Sequence, residues 1–248
     1  PLIESTDGRG QFLKPKETKD QELPYTLQKT QSPLLRFKFL FNAGSSNDYE
    51  SKEGVAALTA SMITDGSSSS MSTEEISRAL LPMAGSFESQ VDKEMTVFTG
   101  VVHKEQIGKF LEIVLPQLVS PGFKEPDFER LKNQQENRLL QDLRANNEEE
   151  LAKEELQNNI FTGTAYGHTI LGTLSGIEKI TIEDIKTFAL KHYSLKNLHL
   201  GFAGDFSKEI ITEINIQLNK LPLGKKIQQP KVTGRKIKGL EVQIIEKD

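Results

Sequence analysis

Apolar and charged residues alternate in the stretch Leu34–Phe41, which reads LLRFKFLF. This period of two predicts a strand with one buried face. The turn-forming residues of Asn42–Asp48 then interrupt the pattern. From Gly54 to Thr64 the residues are small and largely apolar, a composition that predicts a helix buried between other elements.

Further along the chain, the same patterns predict a succession of helices and strands. Ser72 and Glu75 have the spacing of a capping box, which predicts a helix to about Met83. An alternating pattern that begins at Gly85 and runs to Val102 predicts one long strand. The other predicted elements are a helix at Lys104–Val119 that stops at Pro121-Gly122, a long charged helix at Lys124–Asn159, a helix capped by Thr181 that ends near His192, a strand at Asn197–Ala203, a helix at Ser207–Lys220 and a last strand at Leu240–Ile245.

Together these elements predict an α+β fold of two layers, with an antiparallel-rich sheet and helices mainly on one face. Residues 1–33 are polar and interrupted by prolines, so we expect a leader segment with one short strand near Tyr25–Gln28. The remaining residues, 34–248, are then expected to form a single domain.

Composition limits the classes of function that need to be considered. The 248 residues carry a formal net charge of -4 at pH 7, which gives no basis for nucleic-acid binding as the main activity. The chain has no cysteine, so disulfides, thiolate metal sites and thiol nucleophiles are excluded. No apolar run approaches the roughly 18 residues of a membrane span, so none is expected. The lack of cysteine is compatible with cytoplasm and envelope alike; our expectation is the bacterial periplasm or cell envelope.

Isolated candidates for chemistry favour structural roles. The four histidines, His103, His168, His192 and His199, form no pair at ligand spacing on a predicted helix. The acidic run at 148–150 resembles a site for a hard cation, but an acidic run on a helix is more often a solvated face. The serines of 67–70 have no identified His or Asp partner that would activate a nucleophile.

Several short motifs occur in a fixed order over about residues 34–222. They are NAGS at 42–45, GVA at 54–56, MITDGS at 62–67, LLPMAGSF at 80–87, PGF at 121–123, YGHTILGT at 166–173, ITIEDI at 180–185, HYSLKNL at 192–198 and AGDF at 203–206. As an ordered set they resemble the pitrilysin/insulinase peptidases, the family that includes the mitochondrial processing peptidases. The resemblance implies the LuxS/processing-peptidase-like metallohydrolase fold and the amino-terminal half of a longer subunit.

Active members of that family carry an inverted zinc motif, His-x-x-Glu-His, on the helix after the first strand. The two imidazoles bind zinc, the Glu activates a zinc-bound water, and a Glu on a later helix completes the ligands. Residue by residue, the resemblance places Ala57 and Ser61 at the two His positions and Ala60 at the Glu. It places the distal ligand near Asp142, with Glu136 as the alternative. The resemblance therefore implies no metal site, no catalytic residue and no cofactor in this chain.

In family members the strand beside the zinc site lies at a sheet edge, where substrate peptides add as an extra strand. The corresponding candidate substrate-binding residues are Ser86, Phe87, Glu88, Ser89, Gln90 and Val91. Residues 88–91 depart from the Asn-Ala-x-Thr usual in the family, and a plain structural strand is the alternative interpretation.

The role implied by the resemblance is an inactive zinc-peptidase-like subunit. Its expected partner is a zinc-bearing paralogous subunit, with which it would form a peptide-binding chamber. Unfolded peptides are the expected ligands, with no nucleic acid and no membrane span. The alternative is a purely structural or assembly domain, as in the respiratory-complex core proteins that share this fold. An acidic chamber wall would favour the first role, and an extensive apolar outer face the second.

Overall fold

A computed structural model describes residues 22–145 and 147–245, except for the side chains of residues 142–145. Its strands form one sheet in the order β1-β5-β2-β4-β3. The strands are β1 (Tyr25–Gln28), β2 (Leu34–Phe41), β3 (Ser86–Val91), β4 (Thr96–His103) and β5 (Leu198–Ala203). β1 pairs with β5 in parallel, and all other neighbouring strands are antiparallel.

The helices form a second layer against one face of this sheet. They are α1 (Val55–Thr64), α2 (Thr73–Leu80), α3 (Ile107–Val119), α4 (Glu125–Asn137), α5 (Glu148–Ile160), α6 (Leu174–Lys179), α7 (Ile182–His192) and α8 (Lys208–Leu218), with a π-helical segment at Arg138–Ala145. α1 packs against α3, α4, α7 and β3. The predicted two-layer α+β fold is therefore confirmed.

Aromatic residues of β2 form the centre of the core. Phe37, Phe39 and Phe41 are fully buried, as the alternating pattern predicts. The rings of Phe37 and Phe39 stack with centroids 4.6 Å apart. Gly100 on β4 is paired with Phe37, and a Cβ at Gly100 would collide with the Phe37 ring. The missing side chain thus lets this ring lie flat on the sheet.

The opposite face of the sheet is more polar and more open. Arg36 and Lys38 of β2 are exposed there, and Val97 and Val101 of β4 are half-buried. A Cβ built at Gly201 of β5 would meet no atom within 4 Å. Both features indicate that solvent reaches this face in the described part of the chain.

The prediction of one long strand from Gly85 to Val102 is wrong. β3 and β4 form an antiparallel hairpin, closed by a hydrogen bond from the Asp92 N–H to the Met95 carbonyl at 2.8 Å. The Asp92 carbonyl also accepts the N–H of Ser45 at 2.9 Å, which fixes the turn against the loop after β2. The polar residues at 92–94 interrupt the alternation, and this interruption is the turn.

The predicted helix at Lys124–Asn159 is also wrong as a single element. α4 ends at Asn137, the π-helical segment follows, and α5 begins at Glu148. Asn147 is the N-cap of α5, since its side chain accepts the N–H of Glu150 at 3.2 Å. A short polar side chain that satisfies a free helix N–H favours a new helix start over continuation.

The predicted strand at Leu240–Ile245 does not form in the described residues. The segment has no strand pairing, and Leu240 is 91% exposed. An alternating sequence becomes a strand only where another strand offers its hydrogen-bonding edge, and no described strand pairs with this one.

Most of the other predicted elements are confirmed. Ser72 and Thr181 cap α2 and α7 with complete capping boxes. The short strand near Tyr25–Gln28 is present and joins the sheet as β1. The division of the chain at residue 33 stays a prediction. Across the described residues, no helix combines the length and apolar character needed to cross a membrane.

Candidate functional site

The N-terminus of α1 is held by a buried carboxylate. Asp48 accepts the backbone N–H of Gly54 at 2.7 Å and of Ala56 at 2.8 Å. Burial raises the pKa of the Asp48 carboxyl to about 7, although these two bonds oppose the shift. Gly54 has φ +106°, and a Cβ there would lie 2.6 Å from the Leu171 carbonyl oxygen. This geometry requires glycine and fixes where the rest of α1 lies.

The positions that the resemblance assigns to zinc chemistry lie along α1 without the side chains to perform it. Ala57 is 7% exposed and Ala60 is 1% exposed, while Ser61 is half-buried one turn after Ala57. Ala57 and Ser61 line a cavity of about 40 Å³ between α1 and α4. A methyl group has no lone pair for a metal and moves no proton, so these residues do not fit the zinc of the family. Among the described residues, no group of three or more His, Cys, Asp or Glu is arranged to hold a metal ion.

Residues of α4 and the first residue after it form the opposite wall of this cavity. They are Leu131, Gln134, Gln135 and Arg138. Gln135 is 5% exposed, and its Nε2 donates to the carbonyl oxygens of Gly54 at 3.0 Å and Leu171 at 2.8 Å. Gln135 therefore ties α4 to the start of α1.

Of the two positions predicted for the distal ligand, only Glu136 can be compared with this wall, and Asp142 stays a prediction. Glu136 does not line the cavity, and the side chain of Asp142 lies outside the described residues. Gln134 and Arg138, four residues apart, face α1 in its place. The sequence spacing could have indicated this wall. Leu131, Gln134 and Arg138 are three or four residues apart, and residues at that spacing lie on one side of a helix.

The candidate substrate-binding residues form an edge of the sheet. Ser86–Val91 is β3, which pairs with β4 on one side and with no described strand on the other. Phe87 is buried against Phe37 and Phe98, whereas Glu88 and Gln90 are exposed. An unpaired edge presents backbone N–H and C=O groups to which an extended peptide can add.

A cleft of about 450 Å³ lies beside the β3 edge. α1, α2, α4 and β3 all contribute to its lining, which includes Ile76 and Leu80 as well as Glu88. Arg130 also lines it, and its guanidinium donates to the Asp65 carbonyl at 2.6 Å. Burial raises the pKa of the Asp65 carboxyl, while the charges of Arg130 and Arg138 oppose the shift. The cleft thus has a mixed lining, in which a few apolar side chains lie among polar groups and charges of both signs.

A second group of buried polar residues was not predicted from the sequence. Lys93, which is 8% exposed, donates from Nζ to the His168 carbonyl oxygen. The His168 Nδ1 lies 3.9 Å from Asp48 Oδ2, and burial lowers the pKa of this histidine. These contacts hold the β3–β4 turn and the loop after α5 against the start of α1, which is a structural role.

The other histidines have separate environments. His103 ends β4, and His199 lies on β5 with its Nε2 2.9 Å from Asn42 Nδ2. His192 is 3% exposed at the end of α7, and neither ring nitrogen has a hydrogen-bond partner among the described residues. Burial and the charge of Lys191 lower the pKa of His192 to about 4, so the imidazole is neutral at pH 7.

The acidic run of α5 is solvent-exposed. Lys153 Nζ lies 2.8 Å from carboxylate oxygens of both Glu149 and Glu150. This is the geometry of helix-surface ion pairs three and four residues apart.

The model of the insulinase family, Peptidase family M16, matches residues 26–174. The chain belongs to this family. The match begins in β1, includes α1 and the β3 edge, and ends at the first residue of α6.

Three proteins illustrate the similarity. The "non-peptidase homolog YmxG" of Helicobacter pylori is 27% identical over 199 residues, which cover 80% of this chain and 45% of that protein. Mitochondrial-processing peptidase subunit beta of Dictyostelium discoideum is 26% identical over 174 residues, or 69% of this chain and 36% of that subunit. A crystal structure of a "peptidase M16 inactive domain" from Pseudomonas fluorescens is 25% identical, with TM-score 0.70 over 83% of this chain and 50% of that one. The chain thus spans half or less of the length of these proteins.

Proposed function

We propose that this chain is part of a non-catalytic subunit of the M16 family that binds extended peptides along the β3 edge. The observation that carries the proposal is that an open sheet edge and its adjoining cleft lie beside an α1 helix without zinc-binding side chains. Such a subunit would bind a peptide without hydrolysing it.

The β3 edge supports peptide binding through backbone geometry. An added strand needs hydrogen-bonding groups along the edge and room for side chains beside it. The cleft of about 450 Å³ provides that room next to Ser86, Phe87 and Glu88. Backbone pairing requires no particular side chain, so the departure of residues 88–91 from the family pattern is compatible with this role.

The α1 helix supports the absence of peptidase activity. A family-type mechanism needs two imidazole ligands and a carboxylate base, and Ala57, Ser61 and Ala60 supply none of them. The names of the Helicobacter and Pseudomonas relatives, a non-peptidase homolog and an inactive domain, favour the same interpretation for this chain.

A second chain of the family that carries the zinc motif is the proposed partner. The Dictyostelium relative is itself named as one subunit of a processing peptidase. The open, polar face of the sheet around Lys38 and Gly201 suits the wall of a hydrated chamber better than a buried apolar contact. We expect the full-length protein to form a complex with such a paralogue in size-exclusion chromatography. Separate elution beside every zinc-bearing paralogue of the same genome would contradict the partnership.

Peptide binding is tested by filling the cleft. Ser77 of α2 is exposed and lines the cleft, so Ser77→Trp should obstruct it without disturbing the core. Fluorescence anisotropy with a labelled unstructured peptide should show affinity reduced by about tenfold or more, equivalent to about 1.4 kcal/mol. The matched control is Glu74→Trp, also exposed on α2 but outside the cleft lining. Equal loss in both variants, or no binding by the unmodified protein, would overturn the proposal.

A further inference from the structure

The cavity between α1 and α4 is lined by polar side chains without hydrogen-bond partners among the described residues, of which Ser61 is half-buried and Gln134 and Arg138 are exposed. Ser61, Gln134 and Arg138 line it, and their side chains make no hydrogen bond or ion pair within the part of the chain whose side chains are described. The volume of about 40 Å³ is enough for a few water molecules or for the end of one small polar group.

The positive charge in this cavity comes from Arg138. Arg130, the arginine of the neighbouring cleft, is already engaged by the Asp65 carbonyl and by Asp127 Oδ1, at 2.6 and 3.3 Å. Arg138 lines the same cavity as Asp65 without forming an ion pair with it among the described contacts. An arginine side chain stays charged at all physiological pH values, and its planar group binds carboxylates through two parallel hydrogen bonds.

The donors around the cavity match one kind of ligand group. A carboxylate accepts only, and Arg138, the Gln134 amide and the Ser61 hydroxyl all donate. Asp65 also lines the cavity, where burial raises the pKa of its carboxyl and the charges of Arg130 and Arg138 oppose that shift.

The cavity adjoins the proposed peptide site. Asp65 and Gln134 line both the cavity and the cleft beside β3. A peptide paired with β3 would therefore pass within reach of Arg138. We infer that the cavity is a carboxylate subsite, in which Arg138, Gln134 and Ser61 bind an acidic side chain or the C-terminal carboxylate of a peptide lying along β3. This inference rests on the proposed peptide-binding function and specifies which peptides that function would favour.

Three forms of one N-acetylated, labelled, unstructured peptide test the inference. The first has a free C-terminal carboxylate, the second a C-terminal amide and no acidic residue, and the third a C-terminal amide with one internal Glu. We expect the protein to bind the first or the third about tenfold or more tightly than the second, as charge-assisted hydrogen bonds allow. Preference for the first alone identifies the peptide terminus, and preference for the third alone identifies an acidic side chain.

Charge-matched variants assign the effect to Arg138. Arg138→Gln should abolish the preference, so that the first and third peptides bind this variant no more tightly than the second. Arg78→Gln removes the same charge from an exposed position of α2 outside the cavity and should preserve the preference. Equal affinity for all three peptides, or a preference that survives Arg138→Gln, would overturn the carboxylate subsite while leaving peptide binding intact. Failure of the unmodified protein to bind any of the three would overturn both proposals.

Discussion

Two parts of the α1 environment differ in burial and in hydrogen bonding. The helix frame, formed by Asp48, Gly54 and Gln135, is buried and joined by hydrogen bonds of 2.7 to 3.0 Å. The cavity side, formed by Ala57, Ser61 and Arg138, has small or unpaired side chains around an opening of about 40 Å³. The same helix thus keeps a rigid position while presenting no family-type chemistry.

This difference separates residues whose identity the fold requires from residues whose identity would matter only for chemistry. Frame residues are specified by the fold, because each satisfies buried backbone groups or fits where a Cβ cannot. Cavity-side residues contribute little to the hydrogen bonding of the fold, so the fold alone does not specify their identities. Substitutions on the two sides should therefore differ strongly in their effect on stability.

The largest expected effect is that of Gly54→Ala in the frame. The added Cβ would approach the Leu171 carbonyl oxygen at 2.6 Å in a backbone conformation of φ +106°. We expect a loss of about 2 to 4 kcal/mol in the free energy of unfolding. Gly108→Ala on α3 is the matched control, since a Cβ there meets nothing within 4 Å and alanine favours the helix. Equal stability of the two variants in urea titrations would refute the proposed role of the frame.

The next effect is a pH dependence from α7, which packs on α1. Burial lowers the pKa of His192 to about 4 from its ordinary value of 6.5. The unfolded chain therefore binds a proton first, so the contribution to stability is complete above pH 6.5 and is lost as the pH falls towards 4. The loss approaches about 3 kcal/mol, at 1.36 kcal/mol per pKa unit.

His192→Leu isolates this contribution. The difference in unfolding free energy between pH 7 and pH 4 should be smaller in this variant than in the unmodified protein. His199→Leu, at an exposed position of β5, controls for removal of an imidazole. A pH profile of His192→Leu that parallels that of the unmodified protein would show that His192 is not buried as described.

A smaller effect separates two neighbouring glutamines of α4. Gln135→Ala removes the two hydrogen bonds to the Gly54 and Leu171 carbonyls, leaving both without that donor. The expected cost is about 1 to 3 kcal/mol. Gln134→Ala, on the cavity side, should change stability by no more than about 0.5 kcal/mol. Urea titrations measure the unfolding free energy of both variants. A larger loss for Gln134→Ala than for Gln135→Ala would contradict the assignment of Gln135 to the frame.

The smallest effect is expected at the vacated ligand positions. Ser61 is half-buried, and its hydroxyl makes no bond with described side chains, so Ser61→Ala should alter the unfolding free energy by about 0.5 kcal/mol or less. A large destabilisation would mean that Ser61 belongs to the frame.

The sequence predicted the individual helices and strands better than the contacts between them. The alternation in β2 and the small residues of α1 follow local rules, and the structure confirms both elements. The capping Asn147 and the turn at Asp92 were missed, because a helix or strand pattern on both sides concealed a short polar break.

Long-range contacts account for the other errors. The approach of Gln135 to Gly54 joins residues 81 positions apart, and no local pattern carries that information. The wall of Gln134 and Arg138 likewise depends on how α4 packs against α1, which no local pattern indicates. For Leu240–Ile245 the local pattern was alternating, but a strand also requires a paired neighbour.

The most direct test of the account is the zinc content of the protein. The chain is purified without chelator and exchanged first into zinc-containing and then into metal-free buffer. Inductively coupled plasma mass spectrometry then measures the zinc bound per polypeptide. The variant with Ala57→His, Ala60→Glu and Ser61→His, treated in parallel, shows whether the retained frame accepts the missing ligands. We predict zinc far below one ion per chain in the unmodified protein. One zinc per chain that is retained through the exchange and lost in Ser61→Ala would contradict the account.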